Sequence, residues 1–369
     1  MKRGLDIAFF GSSLVSAYWN GAATYYRGLI RALSERGHQV TFYEPDAYDR
    51  QAHRDIDDPP WARVVVYPGD NDRAASAAVE RAARESHVLV KASGVGVFDA
   101  LLERAVVELR RPGQTAIFWD VDAPATLARL AANESDPFLT LIPRYDVVLT
   151  YGGGDRVTSA YVGLGAKRCV PIYNALDPAT HHPSAGDARF GADLGFLGNR
   201  LPDREARVEE YFLRAAAACP NLRFVLGGSG WEGKPLPENV RCVGHVYTGD
   251  HNAFNSSTLA VLNVARDSMA AVGFSPATRV FEAAGAGACI ITDAWAGIDR
   301  FLTPDKEILV ASSGDEVARI LRSLTPKTAR AIGAAARQRV LSEHTYAQRA
   351  RQVESLLVPR SSFRLEATR

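Results

Sequence analysis

The sequence predicts an α/β protein made of two doubly wound, Rossmann-like domains. Short apolar runs of strand length alternate with amphipathic helical patterns along most of the chain, which is typical of parallel βα sheets. One aperiodic run rich in Pro, Ala, Asp and His interrupts the alternation at Asn174–Arg189, as expected of a linker. The 369 residues suffice for two such domains. We therefore expect a domain over residues 1–174, a linker over 175–190, a second domain over 191–344 and a C-terminal segment over 345–369.

In the first domain, each apolar run is short enough to be a buried strand. The predicted strands are Leu5–Phe10, Gln39–Tyr43, Arg63–Tyr67, His87–Lys91, Thr115–Trp119, Asp146–Thr150 and Arg168–Tyr173. The predicted helices between them are Thr24–Arg36, Arg73–Glu85, Val97–Leu109, Ala125–Ala132 and Asp155–Val162. The first helix has the clearest pattern, because its apolar residues recur at helical spacing and Gly37 follows as a stop signal.

The second domain repeats the alternation. Its predicted strands are Ala192–Leu197, Arg223–Leu226, Arg241–Val243, Leu259–Val264, Cys289–Thr292 and Glu307–Val310. Its predicted helices are Arg204–Ala218, Ser275–Gly287, Val317–Leu324, Pro326–Ser342 and Tyr346–Leu357. Ser275 followed by Pro276 predicts a helix start, with a hydroxyl that caps backbone N–H groups. This start would point its free N–H groups at an anion beyond the strand ends.

Composition narrows the possible partners. A formal net charge of +1 gives no electrostatic reason to expect nucleic acid or an anionic membrane. No apolar run approaches the length of a membrane span, and the first residues lead directly into a strand, so we expect neither a transmembrane segment nor a signal peptide. The widely separated cysteines indicate buried, reduced thiols and a cytoplasmic protein.

Several motifs occur in order between Leu262 and Leu357: N-V-A-R-D, S-P-A-T-R-V-F-E-A-A-G-A-G-A, I-I-T-D and S-E-H-T-Y-A-Q-R. This part of the chain resembles the C-terminal domain of group 1 glycosyltransferases, in particular the spore-maturation-protein-like branch. The resemblance implies the GT-B architecture, in which two Rossmann-like domains face a cleft. The N-terminal domain would hold the acceptor, the C-terminal domain would hold the nucleotide-sugar donor, and the last helix would pack back on the first domain.

The implied activity is transfer of a sugar from a nucleoside-diphosphate sugar, by default a UDP-sugar, to an unknown acceptor hydroxyl. No cofactor beyond the donor is expected, and no metal. A GT-B-fold nucleotide-sugar 2-epimerase and a non-catalytic sugar-nucleotide-binding protein remain alternatives. An NAD enzyme is disfavoured, because the loop after the first strand lacks the G-x-G-x-x-G spacing.

The resemblance also implies roles for individual residues of the second domain. Glu282 matches the helix-borne glutamate that binds the donor ribose, although it is also placed to pair with Arg279 on the helix surface. Many group 1 enzymes carry a second glutamate eight residues earlier, where this chain has Phe274. The remaining donor candidates lie near the phosphates, at a strand end or beside the nucleobase: Gly198, Arg200, His245, Asn263, Arg266, Ser275, Thr278 and Arg279.

The first domain supplies the candidates for the acceptor side. Asn20 lies in the long small-residue loop that follows the first strand. Asp120 and Asp122 follow the strand Thr115–Trp119, where a carboxylate can accept a proton or bind a hydroxyl, or can cap the next helix. They form an Asp-x-Asp motif of the kind that binds metals in other transferases, but in the acceptor domain. His181 and His182 have no other ligands at metal spacing, so we expect exposed linker histidines there.

Overall fold

The computed structural model describes residues 4–357. The chain divides into two compact units. The first takes in the chain up to Tyr173 and the segment that begins at Tyr346, and the second is Asn174–Thr345. The loose tail predicted after Pro359 lies outside the described residues.

The first unit is a parallel sheet of seven strands in the order β3-β2-β1-β4-β5-β6-β7. The strands are β1 Asp6–Phe10, β2 Gln39–Asp46, β3 Arg63–Pro68, β4 Val88–Ala92, β5 Thr115–Asp120, β6 Val147–Thr150 and β7 Cys169–Pro171. The helices are α1 Ala23–Glu35, α2 Asp72–Glu85, α3 Asp99–Glu108, α4 Ala123–Ala132, α5 Phe138–Leu141, α6 Gly154–Gly163 and, at the far end of the chain, α14 Tyr346–Leu357. The strand order reverses direction between β1 and β4, so the ends of these two strands border the crevice where such sheets bind ligands.

Helix α14 belongs to this unit because it packs on α1. Gly28 of α1 leaves the space that the ring of Tyr346 occupies, which a Cβ atom would fill. Tyr25 donates a hydrogen bond of 2.8 Å to the carbonyl oxygen of Ile172 and accepts one of 2.9 Å from the indole of Trp119. Helix α1 therefore joins the centre of the sheet to its last strand.

The second unit is a parallel sheet of six strands in the order β10-β9-β8-β11-β12-β13. The strands are β8 Ala192–Leu197, β9 Phe224–Gly227, β10 Val240–Gly244, β11 Thr258–Asn263, β12 Ile290–Asp293 and β13 Leu309–Ala311. The helices are α7 Pro202–Val208, which continues through a π-helical turn at Glu209–Leu213 into α8 Arg214–Ala218, then α9 His251–Ser257, α10 Asp267–Val272, α11 Thr278–Gly285, α12 Gly314–Ser323 and α13 Pro326–Glu343. The strand order reverses between β8 and β11.

The expectation of two doubly wound α/β units with parallel sheets is confirmed. Three short helices, α5, α9 and α10, were not predicted. The helix start expected at Ser275 is wrong, because α11 begins at Thr278 and the Ser275 hydroxyl donates 2.9 Å back to the carbonyl oxygen of Gly273. Cys242 is exposed, whereas the other three cysteines are buried, and all four are free thiols. Among residues 4–357, no helix is both long enough and apolar enough to cross a membrane.

Candidate functional site

The strongest candidate site lies in the second unit, where the loops after β8 and β11 diverge. Ligands of doubly wound sheets bind outside the carboxyl ends of the strands at this reversal point. The turn after β8 contains Gly198, and the turn after β9 contains Gly228. Their backbones touch so closely that a Cβ atom on Gly228 would collide with the carbonyl group of Gly198. The two turns therefore form one rigid rim.

Side chains lock this rim. The Ser229 amide donates 3.0 Å to the amide oxygen of Asn199, and the indole of Trp231 donates 2.8 Å to the carbonyl oxygen of Gly198. A Cβ atom on Gly198 would lie 2.6 Å from a guanidinium nitrogen of Arg279 and 3.1 Å from one of Arg204. Glycine at position 198 thus lets two arginines approach the backbone at the strand end.

Arg204 and Arg279 are the central feature of the site. Burial lowers the pKa of Arg279 to about 10. Burial and, to a lesser extent, the charge of Arg279 beside it lower the pKa of Arg204 to about 9. Within the described chain, neither guanidinium forms an ion pair, and the Nε atom of Arg204 is buried without a hydrogen-bond partner. Two adjacent half-buried cations without a carboxylate ion pair constitute an anion-binding arrangement.

The two guanidiniums are held by neutral groups. The ring of Phe196 lies 5.1 Å from the Arg279 guanidinium and 5.7 Å from that of Arg204, within the range of a cation–π contact. Buried Asn263 accepts a weak hydrogen bond of 3.4 Å from Arg279 and donates 3.0 Å to the hydroxyl of Thr292. These partners orient the arginines without neutralising them.

The other predicted arginines are already paired. Arg200 binds the carboxylate of Glu205 at 2.7 Å, and this contact contributes to a Glu205 pKa of about 2. Arg266 binds Asp203 at 2.6 Å. Because carboxylates engage both guanidiniums, less of their charge is available to an anion than at Arg204 and Arg279.

The sequence-based reasoning did not select Arg204. The sequence carries one indication that Arg204 is a site residue: it lies in the first turn of the helix that follows the Gly198–Asn199–Arg200 turn. An arginine there lies next to any ligand at the strand end. The resemblance indicates Arg200 instead, because it implies a basic residue in the glycine-containing turn itself.

The N-terminus of α11 borders the same region. Thr278 is its first residue, and Ala277 at the N-cap makes no side-chain capping bond. Phe274, which precedes this N-cap by three positions, has a positive φ of 46°, which is strained for a bulky residue. Its amide donates 2.7 Å to the carbonyl oxygen of Ala296. Backbone strain of this kind concentrates at ligand-binding segments.

Glu282 lies one turn further along α11, beside two histidines. One carboxylate oxygen of Glu282 and one ring nitrogen each of His181 and His251 lie within 4.8 Å of one another. His181, which we expected to be exposed, is only 4% exposed, whereas His182 is exposed as predicted. The expectation failed because the segment after Asn174 packs on α11, where the absent side chain of Gly285 admits the backbone of His181.

His245 follows β10 and is exposed. Its ring stacks edge-to-face on that of Tyr247 at 4.5 Å, and Tyr247 is itself 65% exposed. The Nδ1 atom of His245 lies 3.4 Å from the hydroxyl of Ser229. The pair offers an exposed aromatic surface at this edge of the sheet.

In the first unit, Asn20 lies in the loop after β1, whereas Asp120 ends β5 and Asp122 is the N-cap of α4. The side chain of Asn20 is used by its own loop: it accepts 3.0 Å from the Ser12 hydroxyl and donates 2.9 Å and 3.0 Å to the carbonyl oxygens of Ser13 and Ser16. All of these groups are buried. Asn20 therefore shapes the loop after β1.

Asp120 is fully buried at the end of β5. Its carboxylate accepts hydrogen bonds from the hydroxyls of Ser93 at 2.7 Å, Thr126 at 3.1 Å and Tyr161, and from the Asp122 amide at 3.0 Å. Burial nevertheless raises its pKa. Asp122 is half-buried at the N-cap of α4 but makes no side-chain capping bond. Asp120 thus connects three neighbouring segments, whereas Asp122 lies nearer the surface.

Comparison with known proteins agrees with this architecture. Residues 204–355 match a family model described as glycosyl transferase-like. Comparison with curated proteins gives no significant match. Anabaena Alr3699/HepE in complex with UDP and glucose has a similar structure, with a TM-score of 0.66 and 14% identity over 96% of this chain and 99% of that one. The sucrose-phosphate synthase of Thermosynechococcus elongatus has a TM-score of 0.70 and 16% identity over 95% and 98% of the two chains.

AviGT4, a glycosyltransferase involved in avilamycin A biosynthesis, has a TM-score of 0.62 and 17% identity over 96% of this chain and 97% of its own. The fold is the GT-B fold of glycosyltransferases. At these identities the structural likeness concerns the fold alone. The segment of this chain that matches the family model, residues 204–355, contains Arg204, Arg279 and Glu282.

Proposed function

We propose that this protein is a glycosyltransferase that transfers a sugar from a nucleoside-diphosphate sugar to an acceptor hydroxyl. The observation that carries the proposal is the half-buried pair Arg204 and Arg279 at the reversal point of the second sheet. Two adjacent guanidiniums without carboxylate ion pairs suit a diphosphate, which supplies the two missing charges. The glycosyl transferase-like family match supports transfer rather than epimerisation or binding alone.

In this proposal the donor lies along the carboxyl edge of the second sheet. Arg204 and Arg279 bind the diphosphate together with the backbone of Gly198 and the first N–H groups of α11 at Thr278. Glu282 accepts hydrogen bonds from the ribose hydroxyls, and His245 lies beside the nucleobase. UDP is the expected nucleotide, which is supported by the UDP in the similar Anabaena structure. The motifs between Leu262 and Leu357 favour the spore-maturation-protein-like branch.

The catalytic step is departure of the nucleoside diphosphate from the sugar. Negative charge accumulates on the diphosphate, and fixed guanidiniums and helix N–H groups stabilise that charge without reorganising. These groups can neutralise the leaving group without a bridging cation, so we propose a metal-independent transfer. Asp122 is the more accessible of the two predicted acids, whereas Asp120 and Asn20 each hold the segment in which they lie.

The experiment that tests the proposal is isothermal titration of the full chain with UDP, GDP and dTDP, followed by incubation with the corresponding sugar nucleotides. We expect one nucleoside diphosphate to bind at a single site, and its sugar nucleotide to release free diphosphate nucleotide slowly. A protein that binds none of the three refutes the proposal. An epimerised sugar, or binding without release in the presence of any acceptor, supports the alternatives.

A further inference from the structure

We infer that His181, His251 and Glu282 form a binding site for a divalent transition metal of the zinc type. The three residues come from separate parts of the second unit, namely the segment after Asn174, helix α9 and helix α11. Two imidazoles and one carboxylate are ligands that Zn²⁺ prefers, and three protein ligands leave a fourth position open. The inference shares Glu282 with the proposed ribose contact, but Zn²⁺ binding is measured without nucleotide and so does not depend on the proposed glycosyltransferase activity.

The distances suit such an ion. One ligand atom from each residue lies within 4.8 Å of the other two. Around a tetrahedral zinc with bonds of about 2.0–2.2 Å, ligand atoms are separated by about 3.3–3.6 Å. Modest rotations of the three side chains would bring the ligand atoms to these separations.

The protonation of His251 is settled by its surroundings. Its Nε2 atom lies 3.3 Å from the carbonyl oxygen of Val246, which can only accept a hydrogen bond, so Nε2 carries the proton. The Nδ1 atom is then left with a lone pair, and it is buried with no hydrogen-bond partner among the described residues. A ligating histidine typically donates its other N–H to a carbonyl or carboxylate in this way.

His181 presents a second unused nitrogen. Its side chain is 4% exposed, and its Nε2 atom is buried with no hydrogen-bond partner in the described chain. A lone pair and a carboxylate within one small cluster repel each other unless a proton or a cation lies between them.

The surrounding contacts hold the site in place before any ligand binds. Asn252, next to His251 on α9, donates 2.9 Å to the Thr180 carbonyl oxygen and accepts 3.1 Å from the His182 amide. It therefore clamps the backbone on both sides of His181. The amide of His181 donates 2.9 Å to the carbonyl oxygen of Asp177, which closes the turn. Such second contacts are what orient metal ligands.

The test is titration of the full chain, purified in the presence of EDTA and desalted, with ZnCl₂ against a chromophoric chelator. We expect one equivalent of Zn²⁺ to bind. His181→Ala and His251→Ala should each weaken the binding by on the order of 100-fold or more. His182→Ala is the matched control, because it removes the neighbouring exposed histidine and should leave Zn²⁺ affinity unchanged.

Glu282→Gln provides a nearly isosteric variant in case the histidine variants fold poorly, which circular dichroism would show. It should also weaken Zn²⁺ binding. Co²⁺ substitution should give the intense visible absorption of a four-coordinate ion in the wild type, and this absorption should be lost in the variant. The inference is overturned if the wild type binds no Zn²⁺, or if its affinity persists in folded His181→Ala, His251→Ala and Glu282→Gln proteins.

Discussion

Replacement of Arg279 by glutamine should weaken UDP binding while it stabilises the unliganded protein. Burial lowers the pKa of this guanidinium from its ordinary value to about 10. That displacement corresponds to roughly 3 kcal/mol against the charged form in the empty site. Its nearest polar partner is the amide oxygen of Asn263 at 3.4 Å, which recovers little of this cost.

A bound diphosphate supplies the missing negative charge. Loss of a charge-assisted hydrogen bond of this kind costs about 1.5–3 kcal/mol, which is roughly 10–150-fold in the dissociation constant. Removal of an unpaired buried charge should meanwhile leave the melting temperature of the free protein unchanged or raise it. Lower affinity combined with undiminished stability distinguishes a binding residue from a structural one.

The assay is isothermal titration with UDP and with uridine, alongside thermal denaturation of the free protein. The affinity deficit should be large for UDP and should shrink for uridine, which lacks the diphosphate. Arg214→Gln is the control, because Arg214 is an exposed arginine paired with Asp315. Unchanged UDP affinity in a folded Arg279→Gln protein would refute the reasoning, and so would an equal loss with uridine.

Three further predictions follow from the same contacts. Glu282→Ala should weaken UDP binding by roughly 10–150-fold without unfolding the protein, since a charged acceptor for the ribose hydroxyls is lost; unchanged affinity by titration would show that Glu282 does not bind the ribose. Asp120→Asn should lower stability by about 1–3 kcal/mol in denaturant unfolding, because its carboxylate accepts four hydrogen bonds, whereas Asp122→Asn should not; a stable but inactive Asp120→Asn enzyme would instead make it catalytic. Transfer should persist after EDTA treatment, because arginines neutralise the leaving diphosphate; loss of activity that manganese restores would contradict this and indicate a bound metal, either at Asp120 and Asp122 or at the cluster of His181, His251 and Glu282.

Local patterns in the sequence were sufficient for the fold class. Each strand of both sheets coincides with a predicted apolar run to within a few residues, as with β8 at Ala192–Leu197. The burial of both faces of a parallel sheet leaves this signature in the strand itself. The sequence does not predict the short helices α9 and α10, because six or seven residues are too few to show a helical period.

The order of residues along the chain does not predict which polar groups form hydrogen bonds with each other. Ser275 is followed by proline in the pattern of a helix cap, yet its hydroxyl turns back to Gly273 and α11 begins three residues later. The left-handed conformation of Phe274 redirects the chain at that point, and no local propensity predicts it for phenylalanine.

Residue type and position in the chain were enough to place Arg279 and Glu282 on the helix that borders the reversal point of the second sheet. Only the tertiary structure decided which charges are paired and which are not. Arg200 and Arg204 are four residues apart, but Glu205 binds the first, whereas the second lies half-buried beside Arg279. His181 and His251 are 70 positions apart and share a cluster only because Asn252 and Gly285 bring their segments together. Strand and helix formation depends on neighbours along the chain, whereas burial and pairing of charge depend on residues brought close by folding.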